Sequence, residues 1–161
     1  MEKSLADKKV TTHDFFGNTY DVLSKDLSWK VSAYAIITKG ENVLILPTMG
    51  KHGLPGGGVE IGENFVEAVE REVFEETGFV VQAQDVVHVE ADFLTIEGKG
   101  HFQGVCMYFA CNILSGELTD AGFEPWEKKN CKIATWMDIA TVSKEEFLNP
   151  VDKKVIKKLL A

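Results

Sequence analysis

Three glutamates set the chemistry this chain can attempt. Glu72, Glu75 and Glu76 stand at i, i+3 and i+4, a spacing that puts their carboxylates on one side of a helix. Like charges this close repel by roughly a few tenths of a kcal/mol per exposed pair. They also fall near the helix C-terminus, where the macrodipole disfavours anions. A helix selected for stability alone would not carry them there. A divalent cation reverses the sign of the interaction, and hard oxygen ligands of this kind suit Mg²⁺, with Mn²⁺ as the alternative. The competing reading, a merely solvated acidic face, fits most Glu-rich helices and has to be weighed against the surroundings of this one.

Those surroundings are unusually specific. Asn64 reads as an N-cap and Glu67, three residues on, completes a capping box. Gly78 supplies the left-handed residue that ends a helix. Val66, Val69, Val73 and Thr77 follow the i, i+3, i+4 rule and are expected to face a core. The acidic stripe flanks that apolar one, so it lies at the edge of the core and not on the far solvent face. Ahead of the helix runs a loop, Pro47 to Gly58, with Gly50, Gly53, Pro55, Gly56, Gly57 and Gly58, where glycine permits close backbone approach. Glu60 and Glu63 lead from it into the helix.

Taken together, Gly57, Glu63 and the run Arg71-Glu72-Val73-Phe74-Glu75-Glu76-Thr77-Gly78-Phe79 resemble the Nudix box of the Nudix (MutT-type) hydrolases, with no departure. The resemblance implies the Nudix fold, an α/β/α sandwich with a mixed β-sheet. It implies hydrolysis of a nucleoside diphosphate linked to another moiety, with Mg²⁺ held by Glu72, Glu75 and Glu76 and by the carbonyl of Gly57. It implies that Glu63 pairs with Arg71 and holds the loop against the helix. A guanidinium suits that clamp because it grips a carboxylate with two parallel bonds. The general base is Glu72 or a glutamate from a downstream loop, with Glu127 and Glu124 as the candidates. The substrate is expected against Leu54, Pro55, Gly56, Gly57 and Gly58, with Trp126 available to stack on a base. The family's substrate markers are absent: the downstream position where ADP-ribose hydrolases often carry a proline is occupied by Phe93 and its neighbours, with no proline among them, and neither the SQPWPFPxS array of NADH hydrolases nor the tyrosine of diadenosine polyphosphate hydrolases is present. That favours a nucleoside triphosphate, including oxidised or non-standard forms, over ADP-ribose or a nucleotide sugar. A nucleotide sensor built on the same fold is the alternative of another class, but such modules usually lose box glutamates.

Composition agrees with a small-molecule enzyme. With 161 residues, 45% hydrophobic and 26% charged, one domain with a sizeable core is expected. The net charge of −8 argues against nonspecific binding to nucleic acid or to an anionic membrane. Cys106, Cys111 and Cys131 form no CxxC pair, which favours free thiols in a reducing compartment. No apolar run has the length of a membrane span, and the first residues lack the apolar stretch of a secretory signal. The expectation is a cytoplasmic monomer or homodimer.

Along the chain, residues 1–8 read as frayed and 9–27 as a hairpin turning at Gly17-Asn18. Val31 to Thr38 reads as a strand. Val43 to Leu46 is apolar throughout, as in a strand covered on both faces, which itself points to a three-layer sandwich. A short strand is expected over Phe79 to Ala83, and a long hairpin over Val86 to Ile96 and Phe102 to Leu114, with Cys106, Met107 and Cys111 in the core. His13 reads as a surface or packing residue, and His88 and His101 as residues at a cleft mouth. Ser115 to Lys132 reads as irregular, Cys131 to Trp136 as a strand, and Ser143 to Glu146 as a capping box. A terminal helix follows Asn149-Pro150, with Val151, Val155, Ile156, Leu159 and Leu160 on its apolar face and the lysines at 153, 154, 157 and 158 in solvent.

Overall fold

The computed structural model describes residues 7–158; most of the segment read as frayed, and Leu159 and Leu160, lie outside the described residues. A mixed six-stranded sheet forms the middle layer. It contains β1 (Lys9–His13), β2 (Thr19–Leu23), β3 (Leu27–Ile36), β7 (Gly56–Gly58), β8 (Phe79–Ile96) and β9 (Gly100–Gly116), in the order β2-β1-β8-β9-β3-β7. Two pairings are parallel, β1 with β8 and β3 with β9, and the others are antiparallel. A smaller sheet joins β4 (Thr38–Lys39), β5 (Asn42–Thr48) and β10 (Thr135–Asp138) in the order β10-β5-β4, with β6 (Lys51–Gly53) on β5. The helices are α1 (Phe65–Thr77), α2 (Pro125–Asn130) and α3 (Pro150–Lys158).

The strand period of two divides the apolar side chains between two cores. Ala33 and Ala35 of β3, Leu44 and Leu46 of β5, and Met107, Phe109 and Cys111 of β9 meet Ala68, Val69 and Val73 of α1 on one face. Ile36, Val43, Ile45, Cys106 and Tyr108 meet Val151, Val155 and Ile156 of α3 on the other. This is the expected α/β/α sandwich. Val43 to Leu46 is fully buried on both sides, as its unbroken apolar run implied. It does so in the smaller sheet, where each core takes alternate residues.

Local chemistry explains α1. Asn64 accepts from Val66 N and Glu67 N at 3.0 Å each, and Glu67 Oε2 accepts from Asn64 N at 2.9 Å. Gly78 ends the helix at φ 80°, its N–H donating to Phe74 O at 2.9 Å. Val69, Val73 and Thr77 are buried. Val66 is not: it is 40% exposed, and Ala68 is the buried residue of the first turn.

Several boundaries differ from the sequence reading. The two strands expected at 79–83 and 86–96 are one, β8, because the register shift between Ala83 and Val86 absorbs the polar Gln84-Asp85 without ending the ladder. The loop at 47–58 is pinned by β6 and β7, since its glycines lie close enough to neighbouring strands to pair. β3 starts at Leu27, leaving only a 3₁₀ turn at Ser24–Asp26 for the polar connection. The strand near 131–136 is Thr135–Asp138. Part of 115–132 is ordered as α2. No helix starts at Ser143: that residue is absorbed into a 3₁₀ turn, Ile139–Lys144, begun by Asp138 accepting from Ala140 N at 2.9 Å. Asn149 caps α3 through Val151 N at 2.9 Å, and Pro150 bars any helix from running into it from upstream. The lysines of α3 are less free than expected: Lys153 reaches Glu145 O, Lys154 pairs with Glu90, and Lys158 meets His88. No helix among the described residues is long and apolar enough to cross a membrane.

Candidate active site

β7 lies antiparallel to β3, with Gly56, Gly57 and Gly58 opposite Tyr34, Ala33 and Ser32. α1 packs on this edge and brings its acidic stripe against the glycines. The Glu72 carboxylate rests on Gly57, where an added Cβ would lie 2.7 Å from Glu72 Oε1. Glu76 is 6% exposed, and its Oε2 accepts from Gly56 N at 2.7 Å. Glu127 enters from α2. One oxygen each from Glu72, Glu76 and Glu127 lies within 4.8 Å of the other two.

Arg71 is the clamp. Its Nε donates to Glu63 Oε1 at 2.7 Å and its Nη2 to Glu63 Oε2 at 3.0 Å, and Nη2 also reaches Gly58 O at 3.2 Å. Its Nη1 donates to Glu72 Oε1 at 3.0 Å and to Glu75 Oε2 at 3.1 Å. Glu75 thus stands turned to Arg71, outside the three-carboxylate cluster. Glu124 lines the same cleft, and its backbone N–H donates to Glu127 Oε2 at 2.7 Å.

Electrostatics separates the clamp from the cluster. The Arg71 hydrogen bonds hold Glu63 down to a pKa of about 2. Burial pushes Glu76 well above the usual carboxylate range, against its bond from Gly56 N–H, and the charges of Glu72, Glu127 and Glu75 add to the rise. Burial also raises Glu72, opposed by Arg71, and raises Glu127. Such a cluster titrates as a unit. Three carboxyl groups within one ion's reach, offering only oxygen and disfavoured as free anions by burial and by one another, fit a Mg²⁺-like cation that would stabilise their charged forms.

Two cavities meet at Glu76. An acidic cleft of about 450 Å³ is lined by Gly57, Gly58, Arg71, Glu72, Glu75, Glu76 and Glu127. An apolar cavity of about 160 Å³ runs from Glu76, Leu54 and Trp126 to Phe15, Leu94 and Phe102. Of the expected substrate contacts, Leu54 and Trp126 line the apolar cavity and Gly57 and Gly58 the cleft. Pro55 and Gly56 line neither. They hold the loop instead: Pro55 O accepts from Ala35 N at 2.8 Å.

Sequence reasoning missed Asp152. An acid in the first turn of a lysine-rich helix reads as a favourable partner of the helix dipole. Here it is 2% exposed at the apolar cavity, with Oδ1 accepting from Tyr108 Oη at 2.9 Å and Oδ2 from Leu54 N at 3.1 Å. His13, read as a surface or packing residue, lines that cavity and meets Asp92 Oδ1 at 2.8 Å, which raises its pKa. His88 and His101 line neither cavity and bond to Glu90 and Thr95.

Burial raises Asp152 from 3.8 to about 7. An acid raised on folding favours the folded state in acid: its contribution is complete below about pH 3.8 and is lost as pH rises through 7. The span amounts to at most about 4 kcal/mol, at about 1.4 kcal/mol per unit. Thermal melts from pH 5 to 8 should therefore show a falling Tm, with a shallower fall in Asp152→Asn. Parallel curves for the two proteins would refute this account of Asp152.

Comparison with known proteins places these features in a wider group. The sequence profile of the NUDIX domain matches residues 29–159. A protein of Methanocaldococcus jannaschii named ADP-ribose pyrophosphatase is 33% identical over 93 residues, covering 55% of this chain and 53% of that protein. A relative from Caenorhabditis elegans is 33% identical over 106 residues, 62% of this chain and 27% of that one. The chain thus spans about half the length of one curated relative and about a quarter of the other. The crystal structure of a MutT protein from Methanosarcina mazei Go1 superposes with a TM-score of 0.63 at 22% identity, covering 83% of this chain and 94% of that one; this likeness concerns the fold.

Proposed function

This chain belongs to the Nudix family, and on that premise we propose that it is a metal-dependent Nudix pyrophosphohydrolase. Its substrate is a nucleoside diphosphate linked to another moiety, in first place a nucleoside triphosphate, oxidised and non-standard forms included. The observation that carries this reading is the shared wall at Glu76 between the acidic cleft and the apolar cavity. A phosphate chain in the cleft puts its base within reach of the cavity. That cavity is smaller than the roughly 300–1,000 Å³ that holds a drug-sized ligand, so it suits one ring system and not a whole nucleotide.

Glu72, Glu76 and Glu127 would hold the cation, with Glu75 in reserve beside Arg71. When bound, the ion supplies charge neutralisation of the pyrophosphate and acidifies the attacking water. The chain's own residues do the rest. Glu63 and Arg71 fix β7 against α1, so the carboxylates are positioned before substrate arrives. In the reaction, the water oxygen forms a bond to one phosphorus and the bridging P–O bond breaks. The electron pair leaves on the departing phosphate, and the water's proton passes to whichever of Glu72, Glu127 and Glu124 is left free of the cation beside that water.

A second reading, ADP-ribose as substrate, is favoured by the name of the M. jannaschii relative. Incubating the protein with Mg²⁺ and a panel of nucleoside triphosphates, ADP-ribose and nucleotide sugars, and following phosphate or pyrophosphate release, separates the two. Chelation should abolish turnover, and Mg²⁺ should raise Tm by relieving the carboxylate repulsion. Ligand-induced stabilisation with no turnover of any member would mark a sensor and end the enzyme proposal. The free state of Cys106, Cys111 and Cys131 supports work in a reducing compartment such as the cytoplasm.

A further inference from the structure

The acidic cleft has a contributor from an unexpected place. Lys99, at the tip of the β8–β9 hairpin, lines it together with residues of β7, α1 and α2. The tip is a tight turn: Gly98 and Gly100 take φ 74° and 116°, and Lys99 N donates to Ile96 O at 2.9 Å. Glycine on either side lets the turn present its central side chain outward without strain.

Arg71 and Lys99 are the two cationic residues lining the cleft, among the described residues. Arg71 is committed to Glu63, Glu72, Glu75 and Gly58 O. Lys99 forms no ion pair among the described residues, although the same cleft is lined by Glu60, Glu124 and Glu127. A lysine that borders a pool of carboxylates without pairing to any is not there as a structural salt bridge. Its ammonium is a mobile point charge with three donors on a flexible stem, which suits phosphate oxygens whose positions vary between substrates.

We propose that Lys99 is a substrate-binding residue, engaging phosphate oxygens of the polyphosphate chain that the carboxylate cluster and its cation do not reach. The proposal rests on the reading of the cleft as a polyphosphate site. Lys99 is a binding group and takes no part in proton transfer, so its removal acts on affinity and not on turnover. It also makes phosphate-chain length a determinant of selectivity: a substrate with an additional phosphate gains from Lys99 and one without gains less.

Titration calorimetry with inorganic tripolyphosphate and Mg²⁺, together with steady-state kinetics on the nucleotide turned over fastest in the panel, tests this. Lys99→Ala should weaken tripolyphosphate binding and raise KM by roughly tenfold, the scale of a charge-assisted hydrogen bond, with kcat little changed. Lys99→Arg should restore most of both, and Lys99→Glu should weaken binding further. The wild-type Kd should rise with salt more steeply than that of Lys99→Ala. Equal Kd values for wild type and Lys99→Ala, or a loss confined to kcat, would overturn the proposal. If wild-type protein neither binds tripolyphosphate nor turns over any nucleotide, the reading of the cleft itself fails first, and this assignment with it.

Discussion

Glu76→Gln is expected to lower kcat by about two orders of magnitude or more, the scale set by removing a charge that acts on the transition state through a metal, with the fold intact. Glutamine keeps the shape and can still accept from Gly56 N, the contact that ties α1 to β7. It removes the negative charge that burial makes unfavourable in the free protein. Tm without metal should therefore stay level or rise while activity collapses, a combination that a purely structural glutamate could not give. Glu75→Gln is the comparison. Its carboxylate is turned to Arg71 in the free protein, so a loss as large as that of Glu76→Gln would mean that Glu75 leaves Arg71 for the cation. Unchanged kcat in both variants would remove the assignment of the metal site to α1.

Gly56→Ala should destabilise the fold by about 3 kcal/mol or more. Its φ of 143° lies where L side chains are strained, and a Cβ there would meet the backbone of β3, with the Tyr34 Cα 2.6 Å away. Strain and overpacking each carry about 1–3 kcal/mol, against a total stability of roughly 5–15 kcal/mol. β7 would have to leave β3, taking with it the glycines on which Glu72 and Glu76 rest. Gly50→Ala is the control: φ is 76° there, but nothing lies within 4 Å of the added carbon. Urea midpoints that moved equally for the two variants would show that backbone conformation, and not the approach to β3, makes Gly56 necessary.

What could be read from the sequence was what is local. The capping box at Asn64 and Glu67, the stop at Gly78 and the spacing of the acidic residues all act within a few residues, and each appears where its chemistry demands. The Glu63–Arg71 clamp is local too, eight residues apart across one loop. What escaped was set by distant neighbours. Val66 has the right spacing for a core position, yet it stays exposed while Ala68 is buried. Nothing in the sequence around Asp152 shows that Tyr108 and Leu54 will surround it. Lys99 reads as an ordinary turn lysine until β8 and β9 carry it to the cleft. Glu127 was found by family resemblance, and its 4.8 Å cluster with Glu72 and Glu76 depends on α2, which the sequence presented as irregular.

The parallel pairings of the sheet bear on how quickly the chain can reach this state. β3 aligns with β9 along ten residues, from Leu27↔His101 to Ile36↔Ala110, and β1 meets β8 at His13↔Leu94. These ladders join positions more than seventy residues apart, so closure entropy must be met before any hydrogen bond rewards it. The β8–β9 hairpin, closed by a short turn, is the natural nucleus, and β3 must then arrive from far upstream. Single-domain refolding on the millisecond-to-second scale follows, with mutations in the hairpin slowing folding and those in α1 chiefly hastening unfolding. The carboxylates would then gather only after the sheet has formed, so hydrolytic competence should return in step with the slowest phase.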